Sequence, residues 1–375
     1  MRKQKLWAFI MAGCMALAAA GCGKEASSPT APSQTGQVVT LAPTTQAETK
    51  TGTKEETTDG ETKEQLPEGM QYSFLTGELV SIEQAQRRPV ALMIGNTQAA
   101  LPQYGLSKAG VIYEAPAEGG INRLMPVFED YSGLDRIGSL RSARTYFCFF
   151  SKEFDAVLGH FGEAFYAQPY LNSPGFEHFD CLSDSGSELF FRTSDRQSPH
   201  NAFTSGERID ASMEKNGFST TYPGDYTGHF QFVKNSESPV DLKGGADAVL
   251  VNPNYPVNEP WFEYDAASGL YKRFQYGEAH MDAAVNQQLA VKNIIIQSCN
   301  MTHYDDTPYL NFDVQSGGNG YFITEGKAVP VTWTKDSEWG QTHYFGADGK
   351  EIRLNQGKTW VCIVQSDRFG GVHFQ

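Results

Sequence analysis

The order of apolar and polar positions divides this chain into stretches with different fates. Leu6 to Ala20 is apolar and uncharged, follows the basic stretch Arg2-Lys3-Gln4-Lys5, and ends at Gly21-Cys22. Charge, apolar core and small residues in that succession are the layout of a secretory signal, and the run is shorter than the roughly 20 residues a membrane-spanning helix needs. From Gly23 to Gly69 there is no aromatic residue, and Thr, Glu, Lys, Ser and Gln dominate. Such a composition cannot bury enough apolar surface to fold. Residues 22–69 therefore read as a tether, whose roughly 43-residue coil would reach about 35 Å.

Apolar periodicity begins in earnest after residue 70. Pro89-Val90-Ala91-Leu92-Met93-Ile94 is unbroken and closes with Gly95-Asn96, which predicts a strand buried on both faces. Similar runs at Val111 to Ala115, Leu124 to Phe128 and Ala156 to Gly159 predict three more. Ser142 to Phe154 spaces aromatics and alanine as a helix does. In Ser205 to Asn216, Ile209 and Met213 share one face before Gly217 supplies a stop.

Residues 70–235 thus read as a mixed α/β domain. The polar, Pro- and Gly-bearing stretch Ser236 to Gly245 marks a boundary, and 236–375 reads as a smaller β-rich domain. Trp261 to Tyr264 and Leu270 to Phe274 flank Ala266-Ala267-Ser268-Gly269 as a hairpin. Further strands fall at Val291 to Gln297, Tyr309 to Val314, Tyr321 to Ile323, Val329 to Trp333 and Thr359 to Val364, with a turn at Asp348-Gly349. The expected fold class is α+β.

Charge and cysteines narrow the setting. The 375-residue chain carries a formal charge of −14, and losing residues 1–21 as a signal removes three cations. Long-range attraction to nucleic acid or anionic polymers is excluded on that balance. Cys148, Cys181, Cys299 and Cys362 are widely spaced and lack a Cys-x-x-Cys pair. The apolar settings of Cys148 and Cys362 favour buried free thiols over disulfides.

No phosphate loop, nucleophile elbow or His-Glu-x-x-His motif occurs, so neither a cofactor nor a metal is expected. His280-x-Asp282, and His303 with Asp305 and Asp306, have no ligand spacing of known meaning and read as exposed loop polarity.

The densest polar sequence runs from Tyr113 to Arg123, Gly138 to Arg144, His160 to Glu163 and Arg192 to Asn201. With Arg88 to Ile94, His280 to Asp282, Lys292 to Gln297 and Gly357 to Val361, these segments resemble the YerB-type lipoprotein family of Bacillus and Clostridium relatives. That family's two domains carry only unknown-function labels. The resemblance runs from about residue 87 to the C-terminus and implies the two-domain architecture and a lipid anchor, without an activity. Gly162-Glu163-Ala164 departs from it, since the family pattern has a second glycine and a serine there.

Ala19-Ala20-Gly21-Cys22 resembles the bacterial lipobox, which makes Cys22 the lipidated residue and implies a protein held on the outer face of the cell membrane.

Arg141 and Arg144, three apart at the start of the expected helix, would project from one face. With Arg123, Arg192, Arg196 and Asn201 they form a candidate site for an anionic ligand, an envelope protein or a wall-derived ligand. The alternative is that these arginines pair with Glu114, Glu118 and Asp195 in a buried network. On this reading the chain is a non-catalytic binding or scaffolding protein. The rival is an envelope hydrolase using Glu114 or Glu118 with His160 or His200 as acid and base.

Overall fold

The computed structural model describes residues 64–375. The expected signal, Cys22 and most of the expected tether lie outside the described residues. A sheet of thirteen strands forms the centre. Along its main path the strands run Ala246–Asp247, Lys327–Lys335, Gly318–Thr324, Asn293–His303, Thr359–Gln365, Val111–Pro116, Asn122–Phe128, Val90–Leu92, Val157–His160 and His178–Asp180. Two groups of three are parallel. Thr359–Gln365 lies between Asn293–His303 and Val111–Pro116, and Val157–His160 lies between Val90–Leu92 and His178–Asp180. The sheet takes strands from both sides of residue 235, and Thr359 pairs directly with Val111.

Alternation explains why the strand at residue 90 has no polar position. Val90, Leu92 and Ile94 enter one hydrophobic cluster, while Ala91 and Met93 enter another on the opposite face. Ile209 and Met213 belong to the first cluster, as do Val251, Phe262 and Tyr271 of a six-stranded second sheet. That sheet contains the expected hairpin, Trp261–Asp265 with Leu270–Gln275. Gly269, at φ 68°, sits in its turn, where a side chain would be strained. The second cluster holds Phe147, Phe150 and Phe154, and Phe150 stacks on Tyr113 at 4.5 Å.

Among the described residues the α-helices are few and short: α1 (Ile82–Gln86), α2 (Thr145–Glu153), α3 (Gln168–Leu171) and α4 (Gly206–Asn216). The chain is accordingly richer in strand than the expected α+β class suggests, in its first part as well. The helix α4 follows the sequence pattern closely. The Ser205 side chain accepts from the Arg208 amide, and Gly217, at φ 65°, ends the helix.

The helix α2 begins three residues later than the pattern predicts. The Arg141 amide donates to Met93 O at 2.8 Å, Phe161 N donates to Arg141 O at 2.9 Å, and Ala143 N donates to Gly162 O at 2.9 Å. With strand-like partners on both sides, the segment stays extended, and Arg144 becomes the residue capping α2. Arg141 and Arg144 therefore do not share a helix face, and their side chains go to different partners.

Cys148, Cys181, Cys299 and Cys362 are all buried and unpaired. Burial pushes the Cys181 thiol up to about 12, so it stays protonated and inert. Among the described residues no helix is long and apolar enough to cross a membrane.

Candidate functional site

Strands Val157–His160 and His178–Asp180 run parallel and end side by side. Just beyond their carboxyl ends lies an open cleft of about 450 Å³, lined by Arg141, Ser142, Phe161, Gly162, Glu163, Asp180, Leu182, Arg192 and Pro199 among others. Crevices outside the carboxyl ends of parallel strands are where such sheets place ligands, because loops can vary there without disturbing the core.

The cationic part of the lining leans on the Pro199–Asn201 stretch. Arg141 donates through Nη1 to Pro199 O at 2.6 Å, and its Nη2 lies 2.7 Å from His200 Nδ1. Burial and the Arg141 charge lower the His200 pKa, so the ring is neutral and offers the guanidinium a lone pair. Arg192 donates to Asn201 Oδ1 at 2.7 Å and lies 5.0 Å over the Phe161 ring. Asn201 Nδ2 is tied to Thr193 O. His200 and Asn201 thus orient the arginines.

The remaining arginines are used elsewhere. Arg144 binds Glu118 in a two-pronged ion pair, with Nε to Oε1 at 2.6 Å, and lies over Tyr309. Arg123 donates to Ser142 O, and burial and then the Arg144 charge push it down to about 9, which leaves it cationic at neutral pH. Arg196 donates to Ala100 O and Pro102 O and lies over Tyr104 and Phe203. The expected alternative of five arginines paired with Glu114, Glu118 and Asp195 is met only by Arg144. Asp195 pairs with Arg136, and Glu114 with Arg273. Among the described residues, Arg123, Arg141, Arg192 and Arg196 have no carboxylate within ion-pair distance.

Of the acidic part of the lining, the sequence drew attention to Glu163 only as part of a polar segment and to Asp180 not at all. Asp180 Oδ1 accepts from the amides of Gly162 and Leu182 at 2.9 and 3.0 Å. Glu163 Oε1 accepts from Gln168 Nε2 at 3.0 Å. The sequence signal for Asp180 was the alternation His178-Phe179-Asp180, which puts residues 178 and 180 on one strand face.

His160, Glu163 and Asp180 bring ligand atoms within 4.8 Å of one another. Both nitrogens of His160 are engaged, however, with Nδ1 2.9 Å from Gly162 O and Nε2 2.9 Å from His178 Nδ1. A carbonyl only accepts, which assigns the proton to Nδ1 and makes Nε2 the acceptor from His178. A cation at these three residues would have to displace those bonds.

The structure does not assemble the expected acid/base pair. Glu114 is fully buried on Val111–Pro116. It accepts from Arg273 Nη2 at 2.6 Å, Asn122 Nδ2 at 2.8 Å, Asn258 Nδ2 at 2.9 Å and Trp360 Nε1 at 3.1 Å. Burial tends to raise the Glu118 pKa, but the bond and charge of Arg144 outweigh it, and the carboxyl is held low. Such a group is a poor general acid. His160 is buried and doubly engaged, which makes it a brace for the Gly162 turn.

The reading of His280 and Asp282 as exposed is also corrected. His280 joins Arg273 to Gln103 Oε1 at 2.6 Å. Asp282, fully buried, accepts from the amides of Gly105, Ser107 and Ala284.

Two family models match this architecture. The N-terminal domain of a protein of unknown function (DUF3048) covers residues 75–219, and the DUF3048 C-terminal domain covers 251–361. The chain belongs to this two-domain family.

Within it, the chain is 30% identical over 299 residues to a Bacillus subtilis (strain 168) protein named "Putative lipoprotein YerB". The match takes in 77% of this chain and 85% of that one. The crystal structure of YerB from Bacillus subtilis superimposes with a TM-score of 0.71 at 29% identity, covering 81% of this chain and 99% of that one.

Proposed function

We propose that this protein is a lipid-anchored binding protein of the cell envelope, facing outward, whose cleft takes an anionic group of a wall-derived ligand or partner on Arg141 and Arg192. One observation carries the reading. Two guanidinium groups line an open cleft, are aimed by His200 and Asn201, and have no carboxylate partner among the described residues. Unpaired planar forks at a cleft suit carboxylate or phosphate. The site therefore moves from the expected Arg141/Arg144 face to Arg141 with Arg192.

Isothermal titration calorimetry of the full chain in detergent, against inorganic phosphate and muropeptides solubilised from purified wall, tests the reading. An Arg141→Ala/Arg192→Ala variant should bind about tenfold or more weakly, since each charged hydrogen bond contributes about 1.5–3 kcal/mol. Equal affinity in a folded variant would remove the cleft from the proposal.

The anchor is supported by the name of the Bacillus subtilis relative and by the leader ending at Cys22. Mass spectrometry of protein from native membranes should find a mature terminus at Cys22 carrying acyl chains. An intact Met1 would contradict the anchored reading.

A further inference from the structure

The same cleft holds two charges of each sign that do not meet. Arg141, Arg192, Glu163 and Asp180 all line it, yet none of the four has an ion-pair partner among the described Lys, Arg, Asp and Glu residues. The nearest basic side chain to Asp180 is His160, at 3.8 Å, and burial lowers that ring's pKa so that it stays neutral.

Opposite charges in one partly desolvated pocket attract, so their separation has to be maintained. The hydrogen bonds already described maintain it. Arg141 is held by Pro199 O and His200, and Arg192 by Asn201 and the Phe161 ring. Asp180 is held by two backbone amides and Glu163 by Gln168. Asp180 Oδ2 and Glu163 Oε2 keep free lone pairs, because only the Oδ1 and Oε1 atoms are taken. Leu182, 68% exposed, adds an apolar surface to the same lining.

We propose that the cleft recognises a zwitterion: a short peptide or amino-acid moiety whose carboxylate is bound by Arg141 and Arg192 and whose ammonium is bound by Glu163 and Asp180. The proposal rests on the reading of the cleft as a ligand site, and it narrows the class of ligand. Groups preset against a charge cost little to reorganise on binding, and a ligand with only one charge leaves the opposite pair unanswered. A volume of about 450 Å³ suits a molecule of a few amino-acid units and is small for a polymer.

Calorimetry of the full chain in detergent with four probes tests it: trialanine, N-acetyl-trialanine, trialanine amide and inorganic phosphate. Trialanine should bind about tenfold more tightly than either blocked peptide. Glu163→Gln, which keeps the side-chain shape and the bond from Gln168, should shrink the preference for trialanine over its acetylated form while leaving the preference over the amide. Arg141→Ala/Arg192→Ala should abolish the preference over the amide.

Acetylated and free trialanine binding equally would overturn the zwitterion and leave an anion site. Phosphate binding with no peptide bound would do the same. If none of the four probes binds the folded protein, the zwitterion falls, and the reading of the cleft as an anion site falls with it only if solubilised muropeptides also fail to bind.

Discussion

Glu114→Gln is expected to destabilise the protein by about 3–5 kcal/mol, because it leaves the Arg273 charge buried without its counter-ion. Both side chains are fully buried and 2.6 Å apart. Around them Asn122, Asn258 and Trp360 donate to the same carboxylate, while Arg273 also meets His280 Nδ1 at 3.0 Å. Little in this network can relax toward solvent.

The effect comes from the orphaned charge, so removing both charges should restore much of the loss. Glu114→Gln/Arg273→Met keeps a side-chain oxygen for Asn122 and Asn258, gives up the bond from Trp360 and deletes the cation, and should recover about half of the stability. Urea unfolding reads both variants. A single substitution costing under about 1 kcal/mol would show that the pair does not act as a buried ion pair. Glu114 lies within the region matched by the N-terminal family model and Arg273 within the C-terminal one. Their bond, with the Thr359 to Val111 strand pairing, also predicts one cooperative unfolding transition for residues 64–375.

That pair also marks where the sequence stops being readable. The strand at residue 90 was legible because burial on both faces leaves no polar position, and α4 because its cap and its stop are local. Glu114 lay inside the expected strand Val111 to Ala115, but its partner was not legible: Arg273 is 159 residues away, and the arginines of the polar segments stood in its place. His280 and Asp282 misled for the same reason, since the amides that satisfy Asp282 come from Gly105 and Ser107.

The cleft was half legible. Arg141 and Arg192 stood out as arginines in polar segments, and Asn201 and His200 followed as their neighbours. The direction of Arg141 was hidden, because the choice between helix and extended chain at 141–144 is decided by Met93 and Phe161, which are remote from it in sequence. Asp180 reaches the cleft through a parallel crossover and could be placed there only by strand pairing.

Acid is expected to weaken the fold between pH 6.5 and about 4, and a single histidine should account for a large share of the loss. His229 is fully buried, and burial pushes its pKa down to about 4. Its Nε2 stands 3.3 Å from Glu153 Oε2 without the alignment of a hydrogen bond, and Lys335 already pairs with that carboxylate.

A lowered folded-state pKa means that the unfolded chain takes up the proton first. The contribution is therefore complete above the unfolded value near 6.5 and is lost as pH falls through about 4. For His229 the full span amounts to about 3 kcal/mol. His178, also lowered to about 4 by burial and by His160, adds to the same limb.

Glu129 works in the opposite sense. Burial raises it to about 7, with Ser73 and Gln84 as its hydrogen-bond donors. Its contribution is present below about 4.5 and lost as pH rises through 7. With His160 and His280 also lowered by burial, the histidines outweigh one carboxyl in the acid window, so the wild type should be most stable near pH 6.5–7. His229→Phe, which keeps ring contact with Phe154 and Phe230, should flatten the acid limb, and Glu129→Gln should gain up to about 3 kcal/mol at pH 8. Urea midpoints at pH 5, 6.5 and 8 measure both effects. An acid limb unchanged in His229→Phe would falsify the assignment of that limb to the buried ring.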